Sequence, residues 1–123
     1  MSAASVMKKF TPREKEVAGK VIKVLKEHLN PGRIILFGSR VKGTHYRGSD
    51  FDFAVDVKKP DAMRKFELED AIDAVSGLYS VDVVYLKDVD SSIRKIILTT
   101  GKVVYERGNE GSLDSARPGR DAS

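Results

Sequence analysis

The sequence predicts an α/β (α+β) domain: a small mixed β-sheet of about four strands, with helices packed mainly on one face. Three observations lead there. Apolar runs of strand length occupy residues 33–37, 51–57, 81–86 and 102–106. Residues 12–29, 62–76 and 91–100 instead repeat apolar side chains at helical spacing. The two kinds of segment alternate along the chain, which suits neither an all-helical bundle nor a β-sandwich.

Taken in order, residues 1–11 read as a flexible lead. Thr11-Pro12-Arg13-Glu14 then starts a helix: Thr11 caps, Pro12 suits the first position and Glu14 closes the capping box. Val17, Val21, Val24, Leu25 and Leu29 form its apolar stripe, and Pro31-Gly32 ends it. His28 near that end favours the helix dipole. Residues 33–37, RIILF, are apolar throughout their core and are expected at the centre of the sheet. Gly38-Ser39 makes a turn, a short helix begins near Arg40, and residues 44–49 form a loop containing His45 and Arg47. In the second strand Phe51, Phe53 and Val55 alternate with Asp50, Asp52, Ala54 and Asp56, so one face packs and the other carries carboxylates. Asp61 caps a helix over 62–76, with Phe66, Ala71, Ile72 and Val75 expected inward and Gly77 at its end. The third strand, VDVVYL, carries Asp82 within an apolar run, where a buried carboxylate needs a partner. An amphipathic helix with Ile93, Ile96, Ile97 and Leu98 and a short strand over 102–106 close the domain, 12–106. Residues 107–123 hold one large apolar side chain, Leu113, and read as a flexible tail.

At 123 residues the chain has room for one core. With no cysteine, disulfides and thiolate metal sites are excluded. Two histidines argue against zinc and leave oxygen-ligated Mg²⁺ or Mn²⁺. No apolar run approaches membrane-spanning length and no signal core is visible, so a cytoplasmic protein without membrane attachment is expected. The net charge of +4 is uneven: residues 1–47 hold eleven Lys/Arg and three Asp/Glu, residues 48–123 eleven and fifteen. The early basic residues are spread along a helix among glutamates, which describes a solvated face, and nucleic acid is not expected as a direct substrate.

The chemistry concentrates in 38–56, GSRVKGTHYRGSDFDFAVD. Residues i and i+2 of a strand share a face about 6–7 Å apart, so Asp50 and Asp52 can hold cations together. With Asp82 on a neighbouring strand they form a candidate all-oxygen site for two divalent ions about 4 Å apart, an arrangement suited to in-line phosphoryl or nucleotidyl transfer. Asp82 is also placed to accept the nucleophile's proton. Gly38 lets the backbone approach a phosphate, and its amide and that of Ser39 can donate to it. The hydroxyls of Ser39 and Ser49 and the charges of Arg40 and Lys42 add to a triphosphate cradle. Plainer roles stay open: an ordinary turn at Gly38-Ser39, solvent-facing Asp50 and Asp52, a salt bridge at Asp82, surface charge at Arg40 and Lys42, and a strand-end role for Asp56.

Gly38-Ser39, ten residues and then Asp50-Phe51-Asp52 resemble the signature of the DNA polymerase beta-like nucleotidyltransferase superfamily. The short GSRVKG…GSDFDFAVD frame is similar to its minimal nucleotidyltransferases, the MNT proteins. The likeness spans about residues 12–106. It places the third carboxylate at Asp82, and a weaker match runs from Ile93 to Tyr105. It implies the nucleotidyltransferase fold and transfer of AMP from ATP, with Mg²⁺, to a hydroxyl. It also implies a HEPN-domain partner, the MNT protein acting as antitoxin and some such proteins adding AMP to a tyrosine of the HEPN toxin. The added helical domain that holds acceptors in larger relatives is absent from this sequence, which favours an acceptor supplied by a partner. Two other readings compete: a binding module that neutralises its HEPN partner by contact alone, and a nucleotidyltransferase acting on a small-molecule hydroxyl.

Overall fold

Helix α1, Pro12–Leu29, begins where Thr11 and Glu14 satisfy each other's backbone. The Glu14 amide donates to the Thr11 hydroxyl at 3.1 Å and the Thr11 amide to the Glu14 carboxylate at 2.8 Å. It ends at Asn30, in the left-handed region, whose amide donates to the Lys26 carbonyl. The computed structural model describes residues 10–38, 41 and 50–108. After α1 come β1 (Arg33–Phe37), β2 (Phe51–Val55), α2 (Ala62–Ser76), β3 (Val81–Tyr85), α3 (Ser91–Thr100) and β4 (Lys102–Glu106). Residues 1–9, 39–40, 42–49 and 109–123 lie outside the described residues, including most of the expected lead, loop and tail.

The four strands make one mixed sheet in the order β3-β2-β1-β4. β1 runs antiparallel to both neighbours, and β2 runs parallel to β3. The most apolar strand is thus internal, with Ile34, Ile35 and Leu36 all buried. One face carries Ile34, Leu36, Phe51, Phe53, Val55 and Tyr85 against Val17, Val21 and Leu25 of α1 and Leu68 and Ile72 of α2. The other holds a smaller cluster of Ile35, Ala54 and Leu86 beneath Ile97 of α3. Two helices on one face and one short helix on the other match the expected architecture. No helix among the described residues is long and apolar enough to cross a membrane.

Several local expectations change. β2 ends at Val55 and not at 57, because Asp56 leaves the ladder and its Oδ1 accepts the amides of Gly32 (2.8 Å) and Arg33 (3.0 Å). This clamps the entry of β1 to the exit of β2, and Asp56 is a strand-end residue. In α2, Phe66 is 66% exposed, and fully buried Leu68 takes the inward position. Leu68, Ile72 and Val75 follow helical spacing, and Phe66, two residues before Leu68, lies about half a turn away. In α3 only Ile97 is buried, while Ile93, Ile96 and Leu98 are exposed. That helix is held by Arg94, whose guanidinium donates to the carbonyls of Leu86 (2.7 Å) and Val89 (3.1 Å). Phe10, placed in the lead by its sequence, is buried with its ring edge-on to Phe51 at 5.8 Å. Arg107, placed in the tail, donates its amide to the Gly32 carbonyl at 2.8 Å.

Candidate active site

The rings of β2 decide where its carboxylates go. Phe51 stacks on Phe53 at 6.1 Å and meets Tyr79 edge-on at 5.5 Å, locking the odd-numbered side chains of β2 under the helices. Asp52 and Ala54 therefore turn to the opposite face, the side that α3 partly covers. In register with Asp52 stand Phe37 on β1 and Asp82 on β3. Side chains paired across strands share a face, so Phe37, Asp52 and Asp82 form a row over three adjacent strands. α3 covers the next row along, at Ile35 and Ala54, and leaves Asp82 exposed. β3 is an edge strand, which explains how an aspartate is tolerated inside VDVVY.

Asp52 is the half-buried member, and Asp50 and Asp82 are exposed. Its carboxyl is pushed up from the usual 3.8 to about 6. Partial burial is the largest cause, followed by the negative charges of Asp82 and Asp50 and a hydrogen bond with the Asp82 side chain. Gly38 brings the turn into the same place. Its φ is +84°, and a Cβ there would collide with Oδ2 of Asp52. The Val41 amide donates to the Gly38 carbonyl at 3.1 Å, closing the turn after β1. Backbone and carboxylate are therefore in direct apposition at this point.

Of the sequence-derived site residues, Asp52, Asp82 and Gly38 come together, and Asp50 acts on Asp52 through its charge. Ser39, Arg40, Lys42 and Ser49 lie outside the described residues. Among the described residues no group of three His, Cys, Asp or Glu side chains is assembled tightly enough to hold a metal ion. The chemistry of the donors nevertheless fits a hard divalent cation: oxygen ligands only, with a central carboxyl raised by burial and by the negative charges of Asp82 and Asp50, which a cation would offset. Sequence reasoning missed two features. Phe37 shares the row with Asp52, which strand alternation implies once the pairing is known. A cleft of about 350 Å³ between α2 and β3 is lined in part by Lys65, Glu69, Asp73 and Asp82. The spacing of Lys65, Glu69 and Asp73, four residues apart, marks one stripe of α2 and was a readable signal.

The family described as polymerase beta nucleotidyltransferase matches residues 19–110, taking in the turn, the aspartates and all four strands. The chain belongs to this family. It is a nucleotidyltransferase, and its open four-stranded mixed sheet is the fold of that group. The protein adenylyltransferase MntA of Thermococcus cleftensis is 38% identical over 84 residues, which cover 68% of this chain and 82% of that protein. A crystal structure of a toxin–antitoxin with AMP-PNP contains a chain 28% identical, with a TM-score of 0.62 and 80% of each chain covered. The structure of a tri-AMPylated Shewanella oneidensis HEPN toxin in complex with an MNT antitoxin contains a chain matching at 23% identity. Its TM-score is 0.58, with 85% of this chain and 81% of that one covered, a likeness of fold.

Proposed function

We propose that this nucleotidyltransferase moves AMP from ATP, with Mg²⁺, to a hydroxyl of a partner protein, a tyrosine of a HEPN toxin, and so acts as its antitoxin. The observation that carries the reading is the apposition of Asp52, Asp82 and the Gly38 turn at one point of the sheet. Its support from likeness is the 38% identity to a protein adenylyltransferase and the 28% identity to a chain of a toxin–antitoxin with AMP-PNP.

In this reading the amides of Gly38 and Ser39 take phosphate oxygens, and the missing Cβ at Gly38 lets this turn lie directly against the Asp52 carboxylate. Ser39 and Ser49 add hydroxyl donors, and Arg40 and Lys42 balance triphosphate charge. Asp50, Asp52 and Asp82 would hold Mg²⁺, or Mn²⁺ in its stead. When bound, the cation supplies positive charge that eases deprotonation of the acceptor and offsets the charge of the leaving group. Asp82, exposed on the edge strand β3, receives the proton of the acceptor hydroxyl on a carboxylate oxygen. The hydroxyl oxygen forms a bond to the α-phosphorus of ATP as the bond to the bridging oxygen breaks in line, releasing pyrophosphate.

The test is transfer of radiolabel from α-labelled ATP to the companion HEPN protein. Label is expected with the parent chain and is expected to be lost in Asp50→Asn, Asp52→Asn and Asp82→Asn. Undiminished labelling by the Asp52 variant refutes the reading. The exposed Ile93 and Ile96, three residues apart on one side of α3, offer an apolar surface that suits neutralisation by contact. Full neutralisation by an Asp50/Asp52 double variant, with no mark on the partner, selects that alternative.

A further inference from the structure

We infer that the free edge of β3 is the docking strand for the acceptor: an extended, basic segment of the partner adds antiparallel to β3 and sets its acceptor hydroxyl beside Asp82. This rests on the transfer reaction proposed above and names how its protein substrate is held.

β3 is paired with β2 on one side, and among the described residues no strand lies on the other. Two bonds fix its phase: the Phe51 amide donates to the Ser80 carbonyl at 2.9 Å and the Leu86 amide to the Val55 carbonyl at 2.8 Å. In a parallel ladder this turns the backbone groups of Ser80, Asp82, Val84 and Leu86 toward β2. The N–H and C=O groups of Val81, Val83 and Tyr85 then point out of the sheet. Exposed edges are normally blunted by lysine, proline or a bulge. β4, at the other edge, carries Lys102 and Glu106 and has a register irregularity against β1. β3 reads VDVVY and carries no such guard, its one charge being Asp82.

The same phase places the chemistry. An added antiparallel residue opposite Asp82 forms a non-hydrogen-bonded pair, the kind with Cα atoms about 4.5 Å apart and the closest side chains. It shares the Asp82 face and so extends the row of Phe37, Asp52 and Asp82 by one position. Its neighbours on either side turn the other way, toward α2. There the cleft of about 350 Å³ has an apolar floor from Leu68, Ile72 and Val83. Its rim has Glu69 and Asp73 against Lys65, and Lys65 is already paired with Glu69 at 2.7 Å. Lys65 and Glu69 offset each other, so Asp73 and, at the strand edge, Asp82 leave the cleft net negative, and it favours basic side chains with apolar stems.

The experiment uses the ¹⁵N-labelled full chain and a ten-residue peptide alternating Lys and Val around a central Tyr. Peptide binding is expected to slow amide exchange at Val81, Val83 and Tyr85 by on the order of tenfold, leaving the β1 amides as they were. With Mg-ATP the tyrosine is expected to gain AMP. Val83→Pro removes one outward N–H and no bond to β2, which an edge strand tolerates. It is expected to raise the peptide KM by on the order of tenfold with the ATP KM unchanged, since one strand-pairing bond is lost. A peptide N-methylated at alternate residues makes the same cut on the other partner and leaves the protein intact, covering the case in which the proline variant does not fold. Protection of the three amides without transfer supports the docking strand and counts against the reaction. Transfer without protection, or an N-methylated peptide modified as fast as its parent, overturns the docking strand and leaves the reaction standing. Neither protection nor transfer overturns the docking strand. A Glu-for-Lys peptide modified equally well overturns the basic segment.

Discussion

Replacing Asp52 with asparagine is expected to stabilise the cation-free protein near neutral pH while abolishing its activity. The carboxyl of Asp52 is raised from 3.8 to about 6 by burial and by the charges of Asp82 and Asp50. Between those two values the native chain holds a proton that the unfolded chain has released. Stability therefore falls as pH rises through this window and levels off above it. At 1.36 kcal/mol per pKa unit the rise is worth at most about 3 kcal/mol. Asp52 is only half-buried, so solvent screening reduces this to about 1–2 kcal/mol. The asparagine amide that replaces the carboxyl carries no charge at any pH. Thermal melts in EDTA between pH 4 and 8 should show the variant about 5–10 °C more stable at pH 7.5, with the gap closing toward pH 4. A variant no more stable than the parent at pH 7.5, or a gap independent of pH, would refute the claim that this carboxylate sits among uncompensated negative charge. Millimolar Mg²⁺ is expected to raise the Tm of the parent and not that of the variant.

Other perturbations separate the site from its scaffold. Gly38→Ala forces a Cβ into Asp52 at φ +84°, and is expected to destabilise by about 1–3 kcal/mol and to lose nucleotide binding, measured by melts and titration calorimetry. Asp56→Ala strands the amides of Gly32 and Arg33 and should cost about 1–3 kcal/mol in urea unfolding, with transfer retained under conditions where the variant is folded. In α2, Leu68→Ala is expected to cost about 2–5 kcal/mol, whereas Phe66→Ala should stay within about 0.5 kcal/mol. The reverse order would contradict the placement of that helix.

The β1–turn–β2 unit was legible because its information is local. RIILF, the glycine turn and the alternation around Asp50 and Asp52 each report on neighbours a few residues away. The capping box at Thr11 and the cap at Asp61 were legible for the same reason. The pairing of Asp52 with Asp82 is a different kind of fact. The alternation of VDVVY marks the face of Asp82 within its own strand, but the register against β2 is set across thirty residues by how α2 packs. α2 itself misled, since Met63, Phe66, Leu68, Ala71, Ile72 and Val75 leave no single apolar stripe. Docking against α1 and the β2 face chose Leu68 over Phe66. The burial of Phe10 depends on a ring contact with Phe51, forty-one positions on, which no local pattern announces.

The central claim is that the point where Asp52, Asp82 and the Gly38 backbone meet receives the cation and the triphosphate. Crystals of the chain grown with Mn²⁺ and AMP-PNP, with data collected at the manganese absorption edge, address it directly. An anomalous peak bound by carboxylate oxygens of Asp52 and Asp82, with phosphate oxygens against the Gly38 turn, is the predicted result. Manganese and nucleotide bound elsewhere on the sheet, with the Asp52 carboxylate free of both, would contradict it.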